Sequence, residues 1–206
     1  MTDTNDRPLV TTGDCYSASY ANAMVGLGLD WVILGDRWGY TWRPDPDEPL
    51  GDIRITPLDF GSALVDWFSV TIRELHFADA AACLAWLAAE PGRMVIVGVD
   101  SFWLPHSANH QAGHFPHAVV VNASGAGHVW MADGYRGASF AGPVAAAELV
   151  PALAGMRQFT HRHRTLQRES IELDPTELLA LEIVAPGAGT AGTRLTAAAG
   201  RAWPRR

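Results

Sequence analysis

The sequence predicts an α+β domain in which a helix precedes a run of antiparallel strands. A small-residue helix begins at Cys15, and a β-branched strand occupies 93–100. Two further apolar runs, 118–122 and 128–132, flank a Gly-rich turn at 123–127. Because such a short connection joins antiparallel strands, the last two runs are predicted to form a hairpin.

The first half of the chain is predicted to hold one clear helix and a loop-rich stretch. Asp14 is a good N-cap residue, and apolar side chains at helical spacing predict a helix over 15–27. A short strand is predicted at 31–34, a long loop rich in Pro and Asp at 38–49, and a weaker helix near 57–67.

The second half has clearer signals. A strand is predicted at 69–76 and a helix at 78–90, which a Pro-Gly pair ends. After the hairpin, a short helix at 144–150, ended by a proline, and a strand at 156–161 complete the pattern, and 175–184 could form a further helix.

The chain is expected to contain one main domain. We place this domain at residues 1–173 and a C-terminal extension at 174–206. From 186 onwards the extension is rich in Ala, Gly and Arg, which predicts a partly disordered tail.

Composition excludes several classes of function. The net charge of −7 argues against nucleic acid, whose phosphates favour basic partners. All 15 basic residues are arginines, so neither a lysine Schiff base nor a lysine-containing phosphate loop is available. No apolar run suits a signal peptide or a membrane span, which predicts a cytoplasmic protein without a membrane partner. With only Cys15 and Cys83, neither a disulfide framework nor a cysteine zinc site is expected.

Cys15 is the candidate nucleophile. A thiol attacks as thiolate, and a helix N-terminus favours this form by about 0.3–1 kcal/mol. A neighbouring imidazole must therefore supply most of the activation. The alternative is a buried structural cysteine, which is the interpretation for Cys83 on the apolar face of the 78–90 helix.

His117 and Asp133 are the candidate partners of Cys15. His117 opens the first hairpin strand, and Asp133 ends the second, 133 − 117 = 16 residues later. Antiparallel pairing would let Asp133 orient the His117 ring, which gives the nucleophile, base and carboxylate of an acyl-transfer triad. A histidine at a strand edge and a distant aspartate also occur together by chance, so the spacing alone leaves this open.

Four segments resemble a known family. Gly13–Ser19, Gly98–Pro105, His114–Val121 and Val129–Asp133 resemble the N-terminal domain of the butirosin biosynthesis protein H family. The resemblance covers roughly residues 12–153. Its Val-Asp-x-aromatic-Trp-Leu-Pro and His-Phe-x-His segments are its most distinctive parts.

The resemblance implies a papain-like fold and, in natural-product biosynthesis, an acyl transfer from a carrier-protein thioester. The acceptor would be an amine or a hydroxyl, or the acyl chain itself in an internal cyclisation. On this basis Cys15 takes the acyl group, His117 is general base and acid, and Asp133 orients the histidine. No metal or organic cofactor is implied, and the acceptor would be a small molecule. Two alternatives remain: a cysteine hydrolase (peptidase, amidase or thioesterase) with the same triad, or a non-catalytic binding module.

Several further residues are candidates for substrate binding. Papain-like peptidases place a glutamine before the cysteine as oxyanion donor; residues 7–14 contain none, so backbone amides would replace it. The resemblance suggests that the strand-to-loop junction at 100–103 shapes an acyl pocket, although an aspartate there could equally cap a turn. The aromatic residues of the 38–49 loop could line a pocket or cover the core. The substrate-binding candidates are Thr12, Asp100, Trp103, Trp38 and Trp42.

Two charged or ligating clusters complete the candidates. The spacing of His106, His110, His114 and His117 resembles metal-ligand spacing, but Gly and Pro interrupt any helix there, which favours a loop over the cleft. A basic strip near the C-terminus could dock an acidic acyl or peptidyl carrier protein, or could be a solvated strand edge. Its arginines are Arg157, Arg162, Arg164 and Arg168.

Overall fold

The computed structural model describes residues 8–31, 39–45, 48–56, 65, 68–89, 92–125, 127–157, 159 and 178–185. The helices in these ranges are α1 (Cys15–Gly26), α2 (Ala80–Ala89) and α3 (Ala146–Gly155). The strands are β1 (Gly39–Asp45), β2 (Glu48–Thr56), β3 (Thr71–Phe77), β4 (Met94–Asp100), β5 (Pro116–Gly125), β6 (His128–Asp133), β7 (Phe140–Ala145) and β8 (Leu178–Val184). A 3₁₀ turn, Ser101–Trp103, follows β4 directly.

Six strands form one sheet in the order β3-β8-β4-β5-β6-β7, and every neighbouring pair is antiparallel. The strands β1 and β2 form a separate antiparallel hairpin. Helices combined with an antiparallel sheet confirm the predicted α+β class. Within the described ranges, no helix combines the length and apolar character that crossing a bilayer requires.

The six-stranded sheet has a hydrophobic core on each face, because side chains alternate between faces along a strand. On one face, Met24 of α1 packs with Ile96 of β4 and Val120 of β5. On the other face, α2 and α3 pack against the alternate positions of the same strands, Val95, Val97, Val99, Val119 and Val121. The helix that begins at Cys15 therefore packs on an antiparallel sheet, as the sequence predicts.

The prediction of a loop at 38–49 was wrong for those of its residues that the structure describes. Residues 39–45 and 48–56 form the β1–β2 hairpin, with Trp42 paired to Ile53. The prolines of this stretch suggested a loop, but a two-stranded ribbon consists only of edge strands, where a missing amide is tolerated. The predicted strand at 31–34 and helix near 57–67 lie mostly outside the described residues.

Three predictions in the C-terminal third were also wrong. Residues 178–184 form the strand β8 and not a helix, because a strand buried inside a sheet has the same continuous apolar sequence as a buried helix. The helix α3 continues through Pro151 to Gly155, since its buried Leu149 and Leu153 keep it on the sheet. Residues 157 and 159 are helical, where a strand was predicted.

The strand β8 belongs to the predicted C-terminal extension but is part of the sheet of the main domain. It lies between β3 and β4 and pairs with both. Part of the segment 174–206 is therefore an inner strand of the sheet.

Candidate active site

The segment before α1 is attached to the chain that leaves β6. The amide of Thr12 donates to the carbonyl of Gly134 (3.0 Å), and the amide of Arg136 donates to the carbonyl of Thr12 (3.0 Å). Thr12 and Tyr135 thereby form a short parallel bridge. This bridge brings Cys15, the first residue of α1, to the end of the sheet where β6 stops.

A buried asparagine holds the same segment against α1. The Asn22 side chain donates to the carbonyls of Val10 and Ala18 (both 2.8 Å) and accepts from the amide of Val10 (3.0 Å). Gly134 packs so closely here that a Cβ atom would overlap the carbonyl oxygen of Val10. The position of the Cys15 sulfur therefore depends on a hydrogen bond network and on one close backbone contact.

We expect the substitution Gly134→Ala to lower the free energy of unfolding by about 1–3 kcal/mol, because the added methyl must push the Val10 segment away. Urea unfolding followed by circular dichroism measures this change. Gly13→Ala is the matched control, since no atom lies within 4 Å of its added Cβ. Equal effects of the two substitutions would contradict the close contact.

The N-terminus of α1 is capped by Asp14. Its carboxylate accepts a hydrogen bond from the amide of Ser17 (2.8 Å), and its carbonyl accepts one from the amide of Ala18 (3.2 Å). The carboxylate next to Cys15 is therefore engaged with a helix amide, which is the usual N-cap arrangement. Cys15 is half-buried and lies in the first helical turn, where the helix dipole favours negative charge.

His117 and Asp133 lie on neighbouring strands and are hydrogen bonded. The Nε2 atom of His117 donates to Oδ2 of Asp133 at 2.7 Å, and Oδ1 of Asp133 accepts from the amide of Tyr135 at 3.0 Å. Cys15 lies close enough to the same imidazole to raise its pKa. Since Nε2 is engaged by Asp133, Nδ1 is the ring atom available to the sulfur. The structure thus brings together all three residues of the predicted triad.

His117 and Asp133 each stabilise the charged form of the other. Burial disfavours the charged form of His117, but the hydrogen bond to Asp133 and the interaction with Cys15 outweigh it and raise the pKa of the imidazole to about 9. Burial also disfavours ionised Asp133, but hydrogen bonds from His106 and His117 lower the pKa of this carboxyl to about 2. At neutral pH, a charged imidazolium therefore lies between a buried carboxylate and the Cys15 sulfur.

His106 is a further member of this group that was not predicted from the sequence. Its Nε2 atom donates at 2.9 Å to Oδ2 of Asp133, the same oxygen that His117 uses. The His106 ring stacks on Phe140, with ring centroids 4.9 Å apart. The histidine spacing pointed to a loop over the cleft, but which histidine reaches the carboxylate depends on how that loop folds back.

Replacement of His106 by alanine should make the protein less stable in acid. The hydrogen bond from His106 lowers the pKa of Asp133, so its loss moves this pKa back toward the ordinary value. A carboxyl with a depressed pKa stabilises the fold above its unfolded pKa and loses this contribution as pH falls, so the loss would begin at higher pH in the variant. Acid unfolding followed by tryptophan fluorescence should show an upward shift of the midpoint. An unchanged midpoint, or the same shift in His110→Ala, would contradict this role.

Comparisons with known proteins do not assign the chain to a family. No model of a known protein family matches the sequence, and no curated protein matches it. The geometry of the site is therefore the basis on which its function is proposed.

The remaining histidines of the 106–117 segment have separate partners. Nδ1 of His114 donates at 2.6 Å to Oδ2 of Asp100, and the His114 ring stacks on Phe102 at 4.2 Å. Nδ1 of His110 donates to the carbonyl of Phe102 at 3.1 Å. Among the described residues, no group of three or more His, Cys, Asp or Glu side chains could hold a metal ion.

Of the candidates for substrate binding, two side chains are engaged in local hydrogen bonds and one lines a cavity. Asp100 is fully buried and caps the 3₁₀ turn by accepting from the amide of Phe102 (3.1 Å). Thr12 uses its amide for Gly134 and its hydroxyl for the carbonyl of Asp14, at 2.6 Å. Trp103 is 42% exposed and lines a cavity beside His106. Trp38 and the side chain of Trp42 lie outside the described residues.

Of the four arginines in the predicted basic strip, the structure describes Arg157. The Arg157 guanidinium donates a hydrogen bond to the carbonyl of Ala78, which directs it toward the loop before α2. The other arginines of the strip, Arg162, Arg164 and Arg168, lie outside the described residues.

Proposed function

We propose that this protein is a cysteine-dependent acyltransferase that forms an acyl intermediate on Cys15. One observation carries the proposal: the Nε2–H group of His117 donates a hydrogen bond to Asp133 at 2.7 Å, and Asp133 and Cys15 together raise the pKa of this imidazole. This arrangement has the three parts that acyl transfer needs, namely a nucleophile, a general acid–base group and a carboxylate that orients it. The proposed donor is an acyl thioester, and the proposed acceptor is an amine or a hydroxyl.

The first half-reaction would acylate the enzyme. The thiolate of Cys15 attacks the thioester carbonyl and forms a carbon–sulfur bond, while the carbonyl oxygen takes up negative charge. The tetrahedral adduct then expels the donor thiol, which receives the proton from the His117 imidazolium. Because one thioester replaces another, this step changes the free energy little.

The second half-reaction would release the acyl group. The acceptor amine attacks the acyl-Cys15 carbonyl and gives a proton to the neutral His117 imidazole. Collapse of the adduct forms the amide and expels Cys15 as thiolate, so that the imidazolium–thiolate pair is restored. The two steps together move the acyl group from sulfur to nitrogen without a redox change.

Backbone amides at the start of α1 are the proposed oxyanion donors. The first amides of a helix have no acceptor within the helix, and Asp14 accepts only the amide of Ser17 among them. The amide of Cys15 therefore lies where it can donate to the oxygen of a carbonyl that the Cys15 sulfur attacks. Thr12 is a weaker candidate, since both its amide and its hydroxyl already donate to carbonyl groups.

We also propose that the fold is papain-like and that the donor is an acyl or peptidyl carrier protein. Support for the fold comes from the helix that begins at the nucleophile and from the adjacent strands that carry His117 and Asp133. Support for the partner is electrostatic and limited to the composition of the strip that includes Arg157. Use in natural-product biosynthesis rests on the family resemblance alone.

Intact-protein mass spectrometry after incubation with simple acyl thioesters tests the proposal. We expect a mass gain of one acyl group in the native chain and in Cys83→Ala, and none in Cys15→Ala. Cys83 is an internal control, because burial raises the pKa of its thiol to about 12 and keeps it neutral. Acylation that persists in Cys15→Ala, or none in any chain, would contradict the proposal. Loss of the acyl group to water at the same rate with and without amines would favour a hydrolase.

A further inference from the structure

Tyr135 places an exposed aromatic ring directly beside the His117 imidazole. The two rings meet edge to face, with centroids 5.7 Å apart and an interplanar angle of 76°. Tyr135 nevertheless leaves 41% of its surface exposed to solvent. The part of the ring that His117 does not cover is therefore open next to a group of the triad.

The backbone that carries this ring is held on three sides. The amide of Tyr135 donates to Oδ1 of Asp133 (3.0 Å), and its carbonyl accepts from the amide of Ala138 (3.1 Å). Tyr135 also forms the parallel bridge with Thr12, three residues before the nucleophile. A tyrosine ring on a fixed backbone gives contact area to a ligand at a low cost in conformational entropy.

A second exposed ring lies next to the nucleophile. Tyr16 follows Cys15 in the first turn of α1 and is 62% exposed. Partial burial and the charge of the Cys15 sulfur both raise the pKa of the Tyr16 hydroxyl, so the two groups lie close in space. One exposed tyrosine is therefore beside the nucleophile and the other is beside the imidazole.

We infer that Tyr135 and Tyr16 bind a planar aromatic acyl group at Cys15, which makes aryl-bearing thioesters the preferred donors. The inference rests on the proposed acyl transfer, since it names the acyl group that this transfer uses. An aromatic pair contributes more than the apolar area it buries, which predicts a preference of about two- to twelvefold over a saturated acyl group of the same size.

The phenylacetyl and cyclohexylacetyl thioesters of N-acetylcysteamine form a matched pair of probes. They have the same number of carbon atoms, and in both a methylene group separates the ring from the carbonyl, so that their intrinsic reactivities are similar. The saturated ring is the more apolar of the two. Burial of apolar surface alone would therefore favour the cyclohexylacetyl probe, whereas ring–ring contact favours the phenylacetyl probe.

Binding without reaction is measured on the Cys15→Ala chain with ¹³C-labelled tyrosine rings, of which the sequence has four. We expect the phenylacetyl probe to bind about two- to twelvefold more tightly than the cyclohexylacetyl probe. It should also produce ring-current shifts at Tyr135 and Tyr16, which are assigned with Tyr135→Phe and Tyr16→Phe. The cyclohexylacetyl probe has no aromatic ring and should produce no such shifts at equal saturation.

Two double variants and a distant control complete the test. Tyr16→Leu combined with Tyr135→Leu should abolish the preference, whereas Tyr16→Phe combined with Tyr135→Phe keeps both rings and should retain it. Val150→Leu, at an exposed position of α3, should leave both affinities unchanged. Equal or tighter binding of the cyclohexylacetyl probe, no ring-current shift at saturation, or a preference that persists in the double leucine variant would overturn the inference.

These outcomes are separate from those of the proposed function. Preferential binding of the phenylacetyl probe without acylation of the native Cys15 would retain the aryl site and reject the acyltransferase. Acylation of the native Cys15 with the same kcat/KM for both probes, and equal binding of both to Cys15→Ala, would retain the acyltransferase and reject the aryl site.

Discussion

Replacement of His117 by alanine is expected to slow acylation of Cys15 by about 10²–10⁴-fold, the usual contribution of a general acid–base group. The variant loses the imidazolium that faces the sulfur and the proton that the leaving thiol needs. Single-turnover acylation by an acetyl thioester, followed by intact mass, gives the rate directly.

His128→Ala is the matched control for this substitution. His128 lies at the opposite end of β6 from Asp133 and is exposed to solvent. Its removal should leave the acylation rate within about twofold of the native rate, since it lies outside the triad. If His117→Ala retained the native rate, Cys15 would not depend on this imidazole and the triad would be rejected.

Replacement of Asp133 by asparagine is expected to lower the free energy of unfolding by about 2–3 kcal/mol near pH 5–6. The native pKa of Asp133 is about 2, compared with 3.8 for an ordinary aspartate, and that of His117 is about 9, compared with 6.5. The side chains are 1% and 11% exposed, so solvent screens the pair only weakly. Asparagine keeps the shape of the carboxyl group but not its charge.

The pH dependence of this loss follows from the two pKa shifts. A lowered carboxyl pKa stabilises the fold above about pH 4, and this contribution disappears as pH falls toward about 2. A raised imidazole pKa stabilises the fold below about pH 6.5, and this contribution disappears as pH rises through about 9. The difference between native and Asp133→Asn chains should therefore be largest between about pH 4 and 6.5.

Urea unfolding of both chains from pH 3 to pH 10 measures this profile. A difference that is constant with pH would mean that the carboxylate contributes no charge interaction and would contradict the ion pair. A difference that grows above pH 9 would have the wrong sign for a raised imidazole pKa.

The proximity of His117 and Asp133 could be predicted from sequence because both residues belong to one hairpin. His117 and Asp133 lie close to each other once the 123–127 turn joins two antiparallel strands, so their separation along the chain was informative. Cys15 required a second signal, a helix start with a good N-cap, which the structure confirms at Asp14. Both signals depend on short-range regularities that a sequence displays.

The contacts that complete the site depend on long-range packing and were not predictable. Asn22 holds the segment before α1 from inside a helix, and its helical spacing does not reveal that its side chain is buried and bonded to Val10. His106 reaches Asp133 across 27 residues, because the loop after the 3₁₀ turn folds back over β6. No periodicity or spacing marks such contacts, since they arise only after the elements have packed.

The strand β8 illustrates the same limit for the fold. Its residues 178–184 form an apolar run that fits a helix or a strand equally well, and only its place between β3 and β4 decides. The hairpin β1–β2 was predicted to be a loop because of its prolines. Prolines are also compatible with edge strands, so they could not decide between the two.

The rate of Cys15 alkylation by iodoacetamide as a function of pH tests the central claim, a thiolate at Cys15 paired with the His117 imidazolium. Peptide mapping assigns the label to Cys15 or Cys83, and His117→Ala provides the comparison. We expect Cys15 of the native chain to react at least tenfold faster at pH 6 than Cys15 of His117→Ala. If the two chains react at the same rate at every pH, Cys15 is not paired with His117 and the account is wrong.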